Sequence, residues 1–284
     1  MTQRDRAIGC FIGLAVGDAL GAPVEFKEVG EFVPVTDYRA GGAFRLPEGY
    51  WTDDTSMALC LADSILEHGE IREFDILERF SRWYKLGENS STGRCFDIGN
   101  TTRRSLERFL AAGQYTPAVD DFHEAGNGSI MRFAPVAVRW FRDYDQLMDA
   151  ARRQCITTHG ARICVLSCAE LAIICSDAIQ GKDVMTDLRQ FAKDCFGLVP
   201  NTGFVEHTMV AAKWAVGSTD NFNDAVLAAA NLGGDADTIA AVAGQIAGAV
   251  YGMSGIRQDW FERLYDNYRL LDIATRLYEQ GETA

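Results

Sequence analysis

Apolar residues recur along almost the whole chain at the three- and four-residue spacing of an α-helix, and this periodicity limits the folds open to the sequence more than any other feature. Ile8, Phe11, Ile12, Ala15 and Ala19 make one face of a first helix. Met57, Leu61, Ile65 and Leu66 stripe a second, which starts near Thr52 and stops at His68-Gly69, a common helix-end pair. Ile76, Leu77, Phe80, Trp83 and Tyr84 form one face of a third. The same spacing predicts helices over 101–112, 128–141, 145–156, 160–179, 185–196, 206–216, 223–231, 236–251 and 259–280. Only 32–38 looks extended, and Pro34 makes it a loop or an edge. The expected class is all-α. With 284 residues, 48% of them apolar, the chain can bury one large core, and no repeat or Pro/Gly/Ser-rich linker divides it. A single domain over 1–284 is therefore expected.

Forty Asp and Glu against 27 Lys and Arg leave a net charge of −13, the wrong sign for holding a polyanion, so no nucleic-acid partner is expected. A small phosphorylated ligand stays open, because a bound divalent cation inverts the charge inside one cleft. The N-terminus has basic residues followed by an apolar run, as a signal peptide would. Asp18 interrupts that run, which continues into Gly17-Asp18-Ala19-Leu20-Gly21, and it reads as a mature helix. No uninterrupted apolar stretch reaches the ~18 residues of a membrane span. The eight cysteines lack CxxC spacing, and Cys164, Cys168 and Cys175 share one helix face. They read as small core residues in a reducing compartment, so the expected location is the cytoplasm.

Six segments carry polar chemistry. In Trp51-Thr52-Asp53-Asp54-Thr55-Ser56, two adjacent carboxylates flanked by hydroxyls open a helix. Such a group either caps the helix and complements its dipole or supplies oxygen ligands to a hard cation. Gly233-Gly234-Asp235-Ala236-Asp237-Thr238 repeats that chemistry at another helix start. With four histidines in the chain and no Cys/His cluster, the two motifs form a plausible pair that, brought together, would hold two metal ions sharing carboxylates. Gly244, Gly248 and Gly252 follow at four-residue spacing and allow a neighbouring helix to pack closely, fixing the second motif rigidly. Gly126-Asn127-Gly128-Ser129-Ile130-Met131-Arg132 is a small turn expected to open a helix, where backbone N–H groups and the Ser129 hydroxyl could cradle phosphate. A plain helix start is the more frequent case for such a turn. His159, in Thr157-Thr158-His159-Gly160, sits at a helix junction, where a packing role is the more frequent one. Asp97 either pairs with Arg103 or Arg104 or serves a site. Glu25, among apolar neighbours, is either an acid of raised pKa fit for proton transfer or an exposed loop acid.

In this order, the segments GDALGAPVEF, WTDDTSMAL, FDIGNTTRR, GNGSIMR, THG and GGDADTIAAVAGQIAGA resemble the ADP-ribosylglycohydrolase family, which includes dinitrogenase reductase-activating glycohydrolase and the ADP-ribosylhydrolases. The resemblance runs from Gly13 to Gly252, and FDIGNTTRR is similar to the branch that cleaves ADP-ribose from arginine. It implies a compact, orthogonal all-α helical domain with a binuclear Mg²⁺ or Mn²⁺ centre at the bottom of a cleft. By matching motif positions, the metal ligands would be Thr52, Asp53, Asp54, Asp235, Asp237 and Thr238, with Asp54 also counted as catalytic. Glu25 matches an acid near the metals and the scissile ribose, and Asp97 an acid at the ribose and guanidinium. Asn127, Gly128, Ser129 and His159 match the part that holds the diphosphate and adjoining ribose. The implied reaction is hydrolysis of an N-glycosidic bond at ribose C1, through a transition state of oxocarbenium character. The substrate would be an ADP-ribosylated protein, arginine-linked, and the product ADP-ribose. Two ions would orient the ribose hydroxyls and a water, with Asp97 or Glu25 handling proton transfers.

An isoprenoid synthase also binds diphosphate through Asp-rich helix motifs, but it expects a DDxxD run, and Met57 stands three positions after Asp54. A serine-linked or small-molecule ADP-ribose substrate stays open beside the arginine linkage, and so does a non-catalytic relative that only binds ADP-ribose. No residue of the two metal motifs departs from the pattern such a binding relative would have to lose.

Overall fold

The computed structural model describes residues 1–195, 197 and 199–282, and regular structure among them is helical apart from two isolated bridges, Gly41 with Leu46 and Gly126 with Phe204. The α-helices are α1 (Gln3–Gly21), α2 (Asp53–His68), α3 (Glu73–Leu86), α4 (Asn100–Ala112), α5 (Ala134–Trp140), α6 (Tyr144–Cys155), α7 (Arg162–Ile179), α8 (Met185–Asp194), α9 (Val205–Gly217), α10 (Phe222–Ala230), α11 (Ala236–Tyr251), α12 (Gln258–Arg263) and α13 (Asn267–Glu282). The all-α expectation is met, and residues 32–38 are irregular, with Val35 held at both its N–H and its carbonyl by the Asn231 side chain.

Two helices form the spine. α1 is buried on every face from Ala7 to Gly21 and α11 from Ala236 to Ala249, which is where a helix apolar all round must lie. They run antiparallel with backbone against backbone. A Cβ added at Gly13 would sit 2.2 Å from the carbonyl oxygen of Gly244, and one at Gly244 would sit 2.0 Å from that of Gly13. The contact repeats one turn either way, Gly9 against Gly248 and Gly17 against Ala240. The α11 glycine spacing thus packs a helix closely, as expected, and its partner is the matching glycine row of α1.

By length and composition α1 does reach the dimensions of a membrane span: the helical stretch Gln3–Val24 has a mean hydropathy of 1.7 over its most apolar window. The criterion of an uninterrupted run missed it because a single carboxylate, Asp18, breaks the run. That window is wholly buried inside the fold, as the core helix of a globular protein would be.

Two helix predictions need correction. The helix expected over 128–141 begins only at Ala134, with Pro135 in its first turn, where a missing N–H costs nothing. Residues 127–131 instead form a tight turn in which Ile130 and Met131 both donate to the Asn127 carbonyl. Gln245 of α11 pins that turn by donating to the Ile130 and Met131 carbonyls at 3.1 Å each. The helix expected over 259–280 is two helices. Asp266 adopts φ 55°, and the Tyr265 N–H leaves the helical ladder to donate to the Gly49 carbonyl at 2.9 Å. The remaining boundaries agree within a residue or two. Position 196, the predicted end of the eighth helix, lies outside the described residues.

Candidate active site

The antiparallel spine places the C-terminal end of α1 beside the N-terminal end of α11, and α2 begins at the same place. Asp18, on the last turn of α1, joins them. Its carboxylate accepts from the Thr52 N–H (2.8 Å) and hydroxyl (2.9 Å) and from the Thr55 N–H (3.0 Å) and hydroxyl (2.7 Å). A carboxylate from a different helix therefore caps α2, satisfying N–H groups that a helix start leaves open. The two acidic motifs then meet. The Thr52 hydroxyl lies 3.2 Å from Asp237 Oδ2 and 3.5 Å from Asp54 Oδ2, and the Thr238 hydroxyl lies 3.4 Å from Asp54 Oδ2.

Above this junction lies a cavity of about 610 Å³, within the range that takes a nucleotide-sized ligand. Glu25, Asp53, Asp97, Asn127, Gly128, His159, Asp235, Asp237 and Thr238 all line it, so most of the residues singled out in the sequence converge on one cleft. Thr52 and Asp54 lie beneath its floor, fully buried. Ser129 is not among the lining residues. The tight turn buries it completely, and its carbonyl accepts from Gln154 at 3.0 Å. The phosphate cradle expected of its hydroxyl is not formed.

Glu25 is only 4% exposed, which removes the exposed-acid reading. Its loop is stitched to the second acidic motif: the Phe26 N–H donates to the Gly234 carbonyl (2.7 Å), and the Gly234 N–H to the Lys27 carbonyl (2.8 Å). Gly234 can close that turn because it sits at φ 61°, with a Cβ position only 2.1 Å from the Asn201 carbonyl oxygen. Asp97 does not pair with the arginines that follow it. Arg104 bonds Glu124 at 3.0 Å, and Arg103 bonds Asn100.

Glu25, Asp97 and Asp237 each bring one carboxylate oxygen within 4.8 Å of the others. The boundary drawn from the sequence between metal ligands and proton-transfer acids is therefore not a spatial one. Glu25 Oε2, Asp54 Oδ1, Asp97 Oδ2 and Asp237 Oδ1 are buried without a hydrogen-bond partner. Burial, then the neighbouring carboxylates Asp237 and Asp97, pushes the Glu25 pKa far up, and burial raises those of Asp53, Asp54 and Asp237 well above the usual range. Burial pushes Asp18 and Asp235 up to about 6 and Asp97 up to about 7. Orphaned, mutually repelling carboxylate oxygens are what a hard divalent cation neutralises, and an all-oxygen donor set is the chemistry such a cation requires. The residues present fit a metal.

The rest of the lining is different in kind. Gly99, Asn100, Thr101 and Thr102, the first turn of α4, line the cavity without an acidic residue in that turn. With the Gly126–Gly128 turn and His159 they form the part of the cleft compatible with an anion. Asn127 ties this part to the acidic one, donating to Asp235 and, at 2.9 Å, to the Thr208 hydroxyl.

The sequence reading missed Asp18 as an organiser, although a carboxylate in an apolar helix signals a buried partner. It also missed Thr101 and Thr102, whose hydroxyls follow Asp97 in the same motif. Gly203, which lines the cleft from the loop before α9, carried no readable signal.

Comparison with known proteins agrees with this geometry. The ADP-ribosylglycohydrolase family model matches residues 1–284. The chain is 40% identical over 290 residues to "ADP-ribosylarginine hydrolase Tri1" of Serratia proteamaculans, covering 96% of this chain and 79% of that protein. It is 35% identical over 274 residues to "ADP-ribosyl-[dinitrogen reductase] glycohydrolase" of Rhodospirillum rubrum, covering 92% and 90%. A solved structure described as an "ADP-ribosylglycohydrolase-related protein complex" superposes with a TM-score of 0.84 at 38% identity, over 98% of this chain and 99% of that one. Motifs, fold, cleft and relatives converge, and the chain belongs to the ADP-ribosylglycohydrolase family.

Proposed function

We propose that this protein removes ADP-ribose from arginine side chains, hydrolysing the N-glycosidic bond at ribose C1 with divalent cations held among its carboxylates. The observation that carries the reading is the group of buried, unpartnered carboxylate oxygens of Glu25, Asp97 and Asp237 in a cleft whose lining apart from its carboxylates is neutral and largely polar. The name of the Serratia proteamaculans relative, an ADP-ribosylarginine hydrolase, supports the arginine linkage. Thr52, Asp53, Asp54, Asp235, Asp237 and Thr238 would hold two Mg²⁺ or Mn²⁺ ions, with Glu25 and Asp97 adjoining them. When bound, such ions supply the positive charge that offsets the carboxylates and polarises oxygen ligands.

The chain's own residues do the rest. Carboxylates around ribose C1 favour the positive charge that develops there as the bond breaks. Asp97 or Glu25 takes the proton of the attacking water, and the departing guanidine regains a proton, leaving free arginine and ADP-ribose. Asn127, Gly128 and His159 bind the diphosphate, with Asn127 linking that part of the cleft to the acidic group through its bond to Asp235. Eight free thiols, six of them buried, support a reducing, cytoplasmic setting.

Mass-spectrometric detection of free ADP-ribose from arginine-, serine- and cysteine-linked substrates, with Mg²⁺ or Mn²⁺ and with chelator, tests the reading. Release from the arginine linkage, dependent on metal and abolished in Asp54→Ala and Asp237→Ala, is expected. Undiminished release under chelation overturns the metal role, and preferential release from serine overturns the linkage.

A further inference from the structure

Arg132 closes the GNGSIMR segment and has no part in the proposed hydrolysis, yet it is among the largest fully buried side chains. Among the described residues no carboxylate pairs with it. Its guanidinium stacks over the Phe80 ring, 4.6 Å from the centroid. It donates to the Gln154 carbonyl (3.1 Å) and side-chain oxygen (3.2 Å) and to the hydroxyls of Thr157 (3.3 Å) and Thr158 (2.8 Å). A buried charge without a counter-charge is costly, and the hydrogen bonds it makes show where that cost is directed.

The Thr158 hydroxyl lies 2.7 Å from His159 Nδ1. A guanidinium only donates, so the Thr158 oxygen accepts from Arg132. The hydroxyl proton then needs an acceptor of its own. Thr158 is fully buried, and among the described residues the acceptor within reach is His159 Nδ1. The reverse arrangement, with Nδ1 donating, leaves the Thr158 proton unsatisfied in a dry site. Nδ1 is therefore bare, and the ring proton of a neutral imidazole falls on Nε2.

Nε2 lies on the edge of the ring that borders the cleft. A Cβ built on Gly128 would stand 3.0 Å from His159 Nε2 and 3.1 Å from the Thr102 hydroxyl, and one on Gly126 would stand 3.4 Å from Nε2. Gly126, Gly128, Thr102 and His159 all line the cavity. The glycines thus leave open the space into which Nε2 and the Thr102 hydroxyl project. Burial, and next the Arg132 charge, holds the His159 pKa down to about 3, so the ring stays neutral at ordinary pH.

We propose that Arg132 and Thr158 are positioning residues that fix His159 as the Nε2–H tautomer, making it a hydrogen-bond donor into the cleft for an oxygen of the ADP-ribose diphosphate or its adjoining ribose. This rests on the ADP-ribose reading of the cleft for the identity of the acceptor, but the tautomer is a property of the unliganded protein.

Long-range ¹H–¹⁵N spectra of histidine-labelled protein at neutral pH, with the His159 signals assigned by their loss in His159→Gln, read the tautomer directly. The expected pattern in the wild type is an unprotonated Nδ1 and a protonated Nε2. Thr158→Ser should keep it, and Thr158→Val should replace it with mixed tautomers. With ADP-ribosyl-arginine and divalent metal, Thr158→Val should raise KM about tenfold, the worth of one hydrogen bond to a charged group, with kcat within about threefold. Thr158→Ser should restore KM. A protonated Nδ1 in the wild type overturns the proposal, as does a Thr158→Val protein with unchanged spectrum or unchanged KM. A wild type with the expected spectrum that releases no ADP-ribose from any linkage instead overturns the reading of the cleft.

Discussion

At the scale of single residues, Asp18 has the largest structural consequence for its size. Each of its oxygens accepts from one backbone N–H and one hydroxyl, and all of those donors belong to the start of α2. Asp18→Asn keeps the shape but turns one acceptor into a donor, leaving a buried N–H and hydroxyl unmatched. A cost of about 2–3 kcal/mol is expected, read as a lower denaturant midpoint, together with a loss of metal-dependent ADP-ribose release as Thr52 and Asp54 shift. Gly128 gives a second test. Alanine there would stand 2.7 Å from Cε1 of the buried His159 ring in the wall of the cleft, so Gly128→Ala should raise KM by at least about tenfold and lower thermal stability as the ring is displaced. Much of the site was legible in the sequence because six motifs in one order resemble a known family, whereas paired carboxylates with hydroxyls at helix starts by themselves leave capping and cation binding both open. Ser129 was misread because the geometry of a turn, unlike its composition, decides which side chain points outward. The Arg132–Thr158–His159 chain was illegible because it depends on a tautomer, which no spacing encodes.

At the scale of elements, the period of the apolar residues was enough to find nearly every helix, since a buried stripe needs that spacing whatever it packs against. The failures are at breaks set by tertiary contacts. α12 and α13 part at Leu264–Asp266 because Tyr265 is drawn to Gly49, a tertiary contact, and α5 starts late because Gln245 holds the preceding turn. The α1–α11 contact also inverts a rule of helix propensity. Alanine in place of a mid-helix glycine ordinarily stabilises by about 1 kcal/mol. At Gly13 or Gly244 it would push a methyl group into the facing carbonyl, and the net effect should be a destabilisation of about 1–3 kcal/mol, measured by urea unfolding. A stabilised Gly13→Ala variant would show that the two backbones do not touch as described.

At the scale of the whole molecule, the excess of acid is concentrated where it is least comfortable. Asp235 near 6 and Asp97 near 7 lie above the ordinary carboxylate value of 3.8. The folded state thus binds protons that the unfolded chain has already lost. Their contribution to stability is complete below pH 4 and disappears as pH rises to about 7. A divalent cation replaces the lost protons, so the melting-temperature difference between Mn²⁺-loaded and chelated protein should widen from pH 5 to pH 8. At a hundredfold excess over Kd the gain is about 2.7 kcal/mol, or roughly 5 °C. A difference that is flat with pH would argue that these carboxylates do not hold the ion. The spine adds a constraint of another kind, on biosynthesis. α1 is translated well before α11, as apolar as a bilayer-crossing segment, and the helix that covers it follows about two hundred residues later. At ~5–20 residues per second the nascent helix waits some tens of seconds without its mate. In that interval, chaperones and targeting factors have a greasy segment to bind, and only once α11 emerges can the two helices clasp and hide it.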